Sequence, residues 1–221
     1  MAIGTMLSRI PLSMWPPLVS RWTGVLTPRA LVPHKTPTSS GGPNVRMLFD
    51  FLDRTAEIDG AVAECGVWRG RTLIAIALYL KQKGPSKTLW GFDSFHGFDE
   101  PAPHDFKNAS LALVEQKAEI FRLSNVRIAP GYFRESFAAA ERCRFSFVHI
   151  DCDVYDSYKE CLDFFYPRMS PNGVLLFDEY DDPEWPGANR AVDEFCDAHG
   201  IRLHSLVKDN YRKSFITAPP A

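Results

Sequence analysis

Residues 61–80, AVAECGVWRGRTLIAIALYL, carry an acid and two glycines at the point where an apolar run changes its period. The first five read as a β-strand and residues 71–83 as a helix that stops at Gly84-Pro85, so Glu64, Gly66 and Gly70 fall on the turn between them. The same alternation extends in both directions. Asn44 is placed to cap a helix with Met47, Leu48, Phe51 and Leu52 on one face, and Gly60 ends that connection. Downstream, strands are expected at 88–93 (TLWGFD), 126–129 (VRIA), 145–151 (FSFVHID) and 174–178 (VLLFD). Helices near 107–123, 134–142 and 155–168 separate them, the last with Tyr155, Tyr158, Leu162 and Phe165 on one stripe, and SPNG (170–173) turns into the fifth strand. A helix over 188–199 ends at Gly200. The runs IRLHSLV and KSFIT leave no room for a helix between them and should pair as a hairpin.

Repeated strand–helix alternation with short connections builds a mostly parallel, seven-stranded sheet with helices on both faces, and the closing hairpin adds an antiparallel edge. This is a Rossmann-like α/β domain. Ligands of such sheets lie outside the carboxyl ends of the strands, at the switch point beside the first strand. The segments that matter are therefore 64–70 (Glu64, Gly66, Trp68, Gly70), 93–97 (Asp93, Ser94, Phe95), 129–133 (Gly131, Phe133), 151–155 (Asp151, Asp153) and 178–180 (Asp178, Glu179).

At 221 residues and 45% hydrophobic, the chain suits one sizeable domain with a short extension. A formal charge of −2 with scattered Lys and Arg argues against a nucleic-acid partner and for a small-molecule one. Five cysteines without a CxxC pair fit reduced thiols in a cytoplasmic protein and give no structural zinc site. Residues 1–26 include Trp15 and Trp22, but Pro11, Pro16 and Pro17 break the apolar run. No stretch approaches the roughly 18–20 residues of a membrane span, and no signal-peptide pattern appears, so a soluble chain with no membrane partner is expected. Residues 27–43, TPRALVPHKTPTSSGGP, read as a linker, which divides the chain into an arm and linker (1–43) and a folded domain (44–221). The arm is either a mobile extension or a lid or dimer arm; the second use carries the expectation of a homodimer.

The spacing E-x-G-x-x-x-G at Glu64, Gly66 and Gly70 differs from the G-x-G-x-x-G fingerprint that brings a pyrophosphate against a helix N-terminus. A carboxylate beside a pyrophosphate would repel it, whereas one facing an ammonium group would attract it. The turn thus suits a ligand with an amino-acid moiety, and S-adenosylmethionine meets that requirement. Gly66 would let the backbone approach the methionine portion, and Gly70 would allow close helix packing. Asp93 ends the second strand, where an acid can accept both ribose hydroxyls of an adenosine; its other use would be to cap the turn in DSFHGF. Phe95 is placed to flank the adenine, and APGYF (129–133) to meet its edge.

Asp151 ends the fourth strand and Asp178-Glu179 the fifth, and neighbouring strands lie about 4.8 Å apart, so these carboxylates converge, with Asp153 close by. A divalent, oxygen-seeking cation such as Mg²⁺ would relieve their repulsion and leave positions for substrate oxygens. Alternatively, some of these acids cap the following helices or face solvent. His149, inside the strand, reads as a core residue rather than a ligand.

The segments ECGVWRG, FDSFHGF, IDCDVYDSYKECLDFFYPRMSPNGVLLFDEY and NRAVDEF resemble the macrocin O-methyltransferase (TylF-type) family of metal-dependent sugar methyltransferases, over roughly residues 44–200. The resemblance implies a class I S-adenosylmethionine-dependent methyltransferase, with Mg²⁺ holding vicinal substrate oxygens near the methyl donor. It puts Glu64 and Gly66 on the cofactor turn, Asp93 on the ribose acid, and Asp151, Asp178 and Glu179 on the metal ligands. That family usually has two adjacent aspartates where this chain has Asp178-Glu179. Related catechol-type enzymes place a lysine base where this chain has Val154, so Asp151 or Asp153 is expected to take the proton as the hydroxyl attacks the methyl in line. His96 and His104 are reserve bases on the substrate rim, which comprises 98–110 and 181–188; Tyr155 and Tyr180 line the pocket or pack. A sugar hydroxyl, a polyketide glycoside, a phenol or an amine would each fit as acceptor. The rival classes are a nicotinamide-dependent oxidoreductase, which leaves the carboxylates unexplained, and a non-catalytic S-adenosylmethionine-binding module.

Overall fold

A computed structural model describes residues 42–83, 87–208 and 210–221, and the statements below concern these. The arm with Trp15 and Trp22, and the dimer role given to it, lie outside the described residues. The chain runs α1 (Gly42–Arg54), β1 (Ala61–Cys65), α2 (Arg71–Lys83), β2 (Leu89–Asp93), α3 (Leu111–Ile120), β3 (Val126–Pro130), α4 (Phe133–Ser136), β4 (Phe145–Ile150), α5 (Tyr155–Phe165), β5 (Met169–Phe177), α6 (Pro186–His199), β6 (His204–Lys208) and β7 (Tyr211–Thr217). The strands form one sheet in the order β3-β2-β1-β4-β5-β7-β6. β1 to β5 are parallel, and β7 pairs antiparallel with both β5 and β6. The strand order reverses between β1 and β4, which is the expected switch point.

The central strands β1, β2, β4 and β5 are largely buried on both faces, as a sheet covered on both sides requires, whereas the edge strand β6 is mostly exposed. Val62, Leu89, Phe147 and Leu176 pack beneath α1, α2 and α3. Ala63, Phe92, Val148 and Leu175 pack beneath α4, α5 and α6. α2 is buried over most of its length, including Leu73, Ile74, Ile76 and Leu78, and each such side chain contributes about 1.5–3 kcal/mol relative to exposure. No helix among the described residues is long and apolar enough to cross a membrane.

Four expected boundaries move. α1 begins at Gly42, so Asn44 lies within it rather than capping it. α3 starts only at Leu111, because Ser110 is the true N-cap: its Oγ accepts from the Leu113 N–H at 3.3 Å. α4 is a single turn continued as a 3₁₀ turn over Phe137–Ala140. SPNG is no turn between elements but part of β5, which bulges there. Asn172 takes φ +61°, and the pairing skips from Phe145↔Met169 to Phe147↔Val174.

Candidate active site

The carboxyl end of β1 is built around a contact that only glycine permits. Gly66 has φ +90°, and a Cβ there would lie 1.6 Å from the Asp151 carbonyl oxygen. The space a side chain would take is therefore filled by the backbone after β4. Gly70 serves helix packing as expected, since a Cβ would come within 2.9 Å of the Val114 methyls of α3.

Asp93 closes the same turn from β2. Its Oδ2 accepts from the backbone N–H groups of Val67 (2.7 Å) and Trp68 (2.6 Å), and its Oδ1 accepts from Phe95 N–H (2.6 Å). A carboxylate offers about four lone-pair sites, so three are already used and the expected grip on two ribose hydroxyls reduces to one. Of the two alternatives for Asp93, the turn role is the one these bonds make, and one lone pair of the carboxylate is left over. Ser94 bonds the Gly97 carbonyl. Trp68 donates its indole N–H to Asn108 Oδ1. Trp68 and Phe95 take positive φ, at +49° and +57°. Gly131 stands at the β3 end, hydrogen-bonded to the Asp93 carbonyl. Phe133, expected beside the adenine, is buried and stacked on Phe137 at 5.0 Å; the one-turn helix turns its ring into the core.

Four adjacent strands each contribute one charged side chain to a buried row. Glu64 (β1) and His149 (β4) are register partners. His149 Nδ1 lies 3.3 Å from Glu64 Oε1, and its Nε2 lies 3.5 Å from Asp178 Oδ1 at the end of β5. Lys213 (β7) bonds Asp178 Oδ1 and, at 3.2 Å, the Asp178 carbonyl. Burial lowers the proton affinity of His149, but hydrogen bonds to Asp178 and Glu64 outweigh it and push the pKa up to about 9. Burial raises Glu64 to about 7. Asp178 is held at about 2 against its burial, by the Lys213 ammonium and His149. His149 is buried, as expected of a core residue, and it also bridges two of the singled-out carboxylates. Lys213 was missed by the sequence reading; its only signal was a lysine opening an apolar strand.

The remaining acids face this row. Ligand oxygens of Asp151, Asp178 and Glu179 lie within 4.8 Å of one another, as do ligand atoms of Glu64, His149 and Asp151. Glu179 is buried, and its Oε2 accepts from Tyr158 O–H at 2.6 Å and Asp153 N–H at 3.4 Å. Burial, together with the charges of Asp151, Asp153 and Asp178, raises Glu179 well above the usual carboxyl range. Asp153, at φ +64°, is raised likewise by burial and by Asp151 and Asp178. Arg71, opening α2, senses the charges of Asp151, Asp178 and Glu64. Against the acids Glu64, Asp151, Asp153, Asp178 and Glu179, this group sets the cations His149, Lys213 and Arg71. Carboxyl groups outnumber the cations here five to three, and one oxygen each of Asp178 and Glu179 is left out of the contacts above. Asp151, Asp178 and Glu179 offer oxygen donors alone, which fits a hard divalent cation.

The two rim segments meet over this end of the sheet. Trp185 packs on Phe98 and Phe106 at 6.2 and 6.3 Å, and His104 pairs with Glu184 at 2.9 Å. His104 is thereby occupied as a loop clasp, and His96 bonds its own loop at Ser94. Tyr155 and Tyr180 send their hydroxyls to Glu194 and Asp193 of α6, so both pack between elements. Val154 is buried.

Comparison with known proteins agrees with this arrangement. The model of the macrocin-O-methyltransferase (TylF) family matches residues 43–210. Mycinamicin III 3''-O-methyltransferase of Micromonospora griseorubida is 33% identical over 163 residues, 65% of this chain and 63% of that one. Demethyldecarbamoylnovobiocin O-methyltransferase of Streptomyces niveus is 28% identical over 155 residues, 62% and 58% of the two chains. This chain thus spans less than two thirds of the length of either relative. Among solved structures, the O-methyltransferase NovP superposes with a TM-score of 0.66 at 24% identity, covering 80% of this chain and 78% of its own. The apo structure of CalS11, a TDP-rhamnose 3'-O-methyltransferase, gives 0.68 at 20% identity, covering 97% and 91%. These likenesses show the class I methyltransferase fold. Because the family model covers about three quarters of the residues, strand ends included, the chain belongs to the macrocin O-methyltransferase (TylF) family.

Proposed function

We propose that this chain is a cytoplasmic, S-adenosylmethionine-dependent O-methyltransferase that acts on a sugar hydroxyl of a glycosylated natural product with the help of Mg²⁺. The observation that carries the reading is the convergence of Asp151, Asp178 and Glu179 beside the Glu64–Gly66 turn, within the span of the family match. The names of the relatives, which act on mycinamicin and novobiocin precursors, support the acceptor class.

Glu64 keeps Oε2 buried and without a partner, which suits the donor's ammonium group. Asp93 offers its remaining lone pair to a ribose hydroxyl, with Trp68, Ser94, Phe95 and Gly131 around the adenosine. Asp151, Asp178 and Glu179 would hold Mg²⁺, with Asp151 bordering the donor. When bound, S-adenosylmethionine supplies the sulfonium methyl, and the cation supplies the Lewis acidity that lowers the pKa of an acceptor hydroxyl. Of the two candidate bases, Asp153 is the better placed. It lies outside both ligand clusters, so its carboxylate would stay free to take the hydroxyl proton as the acceptor attacks the methyl. The closed rim of Phe98, Phe106 and Trp185 would exclude water and orient the sugar, so most of the rate comes from positioning. The test is to incubate the chain with S-adenosylmethionine, Mg²⁺ and a panel of macrolide and aminocoumarin glycosides bearing free sugar hydroxyls. Methylated glycoside is expected; methylation of simple catechols in preference to every glycoside would overturn the acceptor class.

A further inference from the structure

Tyr158 lies on the buried face of α5, fully enclosed, with its ring against Phe177 at 6.1 Å. By its place on the Tyr158–Leu162–Phe165 stripe it is a packing residue. Its hydroxyl does more than pack. It donates to Glu179 Oε2 at 2.6 Å and lies 3.4 Å from the Glu179 N–H as acceptor, so it holds both ends of that residue. The Ile150 carbonyl is also in range, at 3.2 Å. A phenol has one hydrogen to give, and the shorter contact, to the Glu179 carboxyl oxygen, takes it.

Glu179 completes the carboxylate cluster with a longer side chain than its partners Asp151 and Asp178. A glutamate has one more rotatable bond, and its carboxylate can swing away from Asp151 and Asp178. With Oε2 fixed between the Tyr158 hydroxyl and the Asp153 N–H, only Oε1 is left to face the cluster. An aspartate, shorter by one carbon–carbon bond of about 1.5 Å, would not reach that hydroxyl. We propose that Tyr158 is a positioning residue that adapts the longer Glu179 to the cation site by holding one of its carboxylate oxygens. This rests on the reading of Asp151, Asp178 and Glu179 as cation ligands.

The test measures Mn²⁺ affinity by electron paramagnetic resonance, and S-adenosylhomocysteine affinity by calorimetry, on the full chain carrying Tyr158→Phe, Glu179→Asp, both together, or Asp178→Asn. Tyr158→Phe should weaken Mn²⁺ binding at least about tenfold, the size expected for loss of an outer-shell hydrogen bond, and leave S-adenosylhomocysteine affinity within about twofold. In the Glu179→Asp background the same substitution should change Mn²⁺ affinity less than about twofold, because the shorter acid has no contact to lose. An equal loss in both backgrounds, or a parallel loss of S-adenosylhomocysteine, overturns the proposal and returns Tyr158 to packing. If Asp178→Asn weakens Mn²⁺ while Tyr158→Phe does not, the proposal alone fails. If the unaltered chain binds no Mn²⁺, or Asp178→Asn leaves its affinity unchanged, the reading of the cation site fails and the proposal falls with it.

Discussion

Lys213→Met is the perturbation that reads the buried charge row most directly. The ammonium is 3% exposed and bonds both Asp178 Oδ1 and the Asp178 carbonyl. Methionine nearly matches its volume, so the change removes charge and hydrogen bonds with little loss of packing. Removing one partner of a buried ion pair typically costs about 3–5 kcal/mol, since the other charge is left uncompensated. Asp178 keeps His149 at 3.5 Å, which places the expected loss near the lower end, about 3 kcal/mol. For a chain of this size each kcal/mol corresponds to about 2–4 °C, so Tm should fall by about 6–12 °C. The assay is thermal and urea denaturation at neutral pH in the presence of a chelator. Adding Mg²⁺ should recover part of the loss, because a divalent ion neutralises the same carboxylates. A loss below about 1 kcal/mol without metal would refute the account of Lys213 as the counter-charge of Asp178.

The same row makes stability depend on pH. His149 is raised from 6.5 to about 9 in the folded state, so its contribution is fully present below about pH 6.5 and lost as pH rises through 9. Glu64, raised to about 7, acts in the same direction at lower pH. In chelator, urea stability should fall by up to about 3 kcal/mol between pH 6.5 and 9.5, and His149→Gln should flatten that decline; a flat profile in the unaltered chain would contradict the assignment. Asp93→Asn keeps one acceptor oxygen but sets its amide N–H₂ against at least one of the three backbone donors, so S-adenosylhomocysteine affinity measured by calorimetry should drop at least about tenfold. Unchanged affinity would remove Asp93 from the cofactor site. Gly66→Ala forces a Cβ into the Asp151 carbonyl and should prevent both stable folding and cofactor binding, visible as loss of a cooperative melt; a well-folded variant would show that β1 and β4 do not meet there as described.

How much of this was legible beforehand follows from the range of the forces involved. β1 and α2 sit where the periodicity put them, because a short apolar run and a long one are distinguished by local pattern alone. Convergence of Asp151 with Asp178-Glu179 was legible too, since the ends of neighbouring strands in a parallel sheet come together whatever the loops do. The turn at Ser110 was misplaced because the residues before it are polar and helix-compatible, and only the cap geometry distinguishes them. Lys213 and Tyr158 were not legible as site residues. Lys213 reaches Asp178 through the β5–β7 register, which no local pattern encodes, and Tyr158 is indistinguishable from a core aromatic until its hydroxyl is seen to have a partner. The same holds for Phe133, whose ring direction was decided by a single turn of helix.

In the proposed site, a donor seated at Glu64 and Asp93 lies beside a cation held by Asp151, Asp178 and Glu179. The most direct measurement is a crystal structure grown with S-adenosylhomocysteine and Mn²⁺, with anomalous diffraction recorded at the manganese edge. One strong anomalous peak coordinated by those three carboxylates is expected, with the ligand's amino group toward Glu64 and a ribose hydroxyl on Asp93. An ordered S-adenosylhomocysteine with no manganese at the carboxylates, or a ligand lying elsewhere along the sheet, would contradict that arrangement.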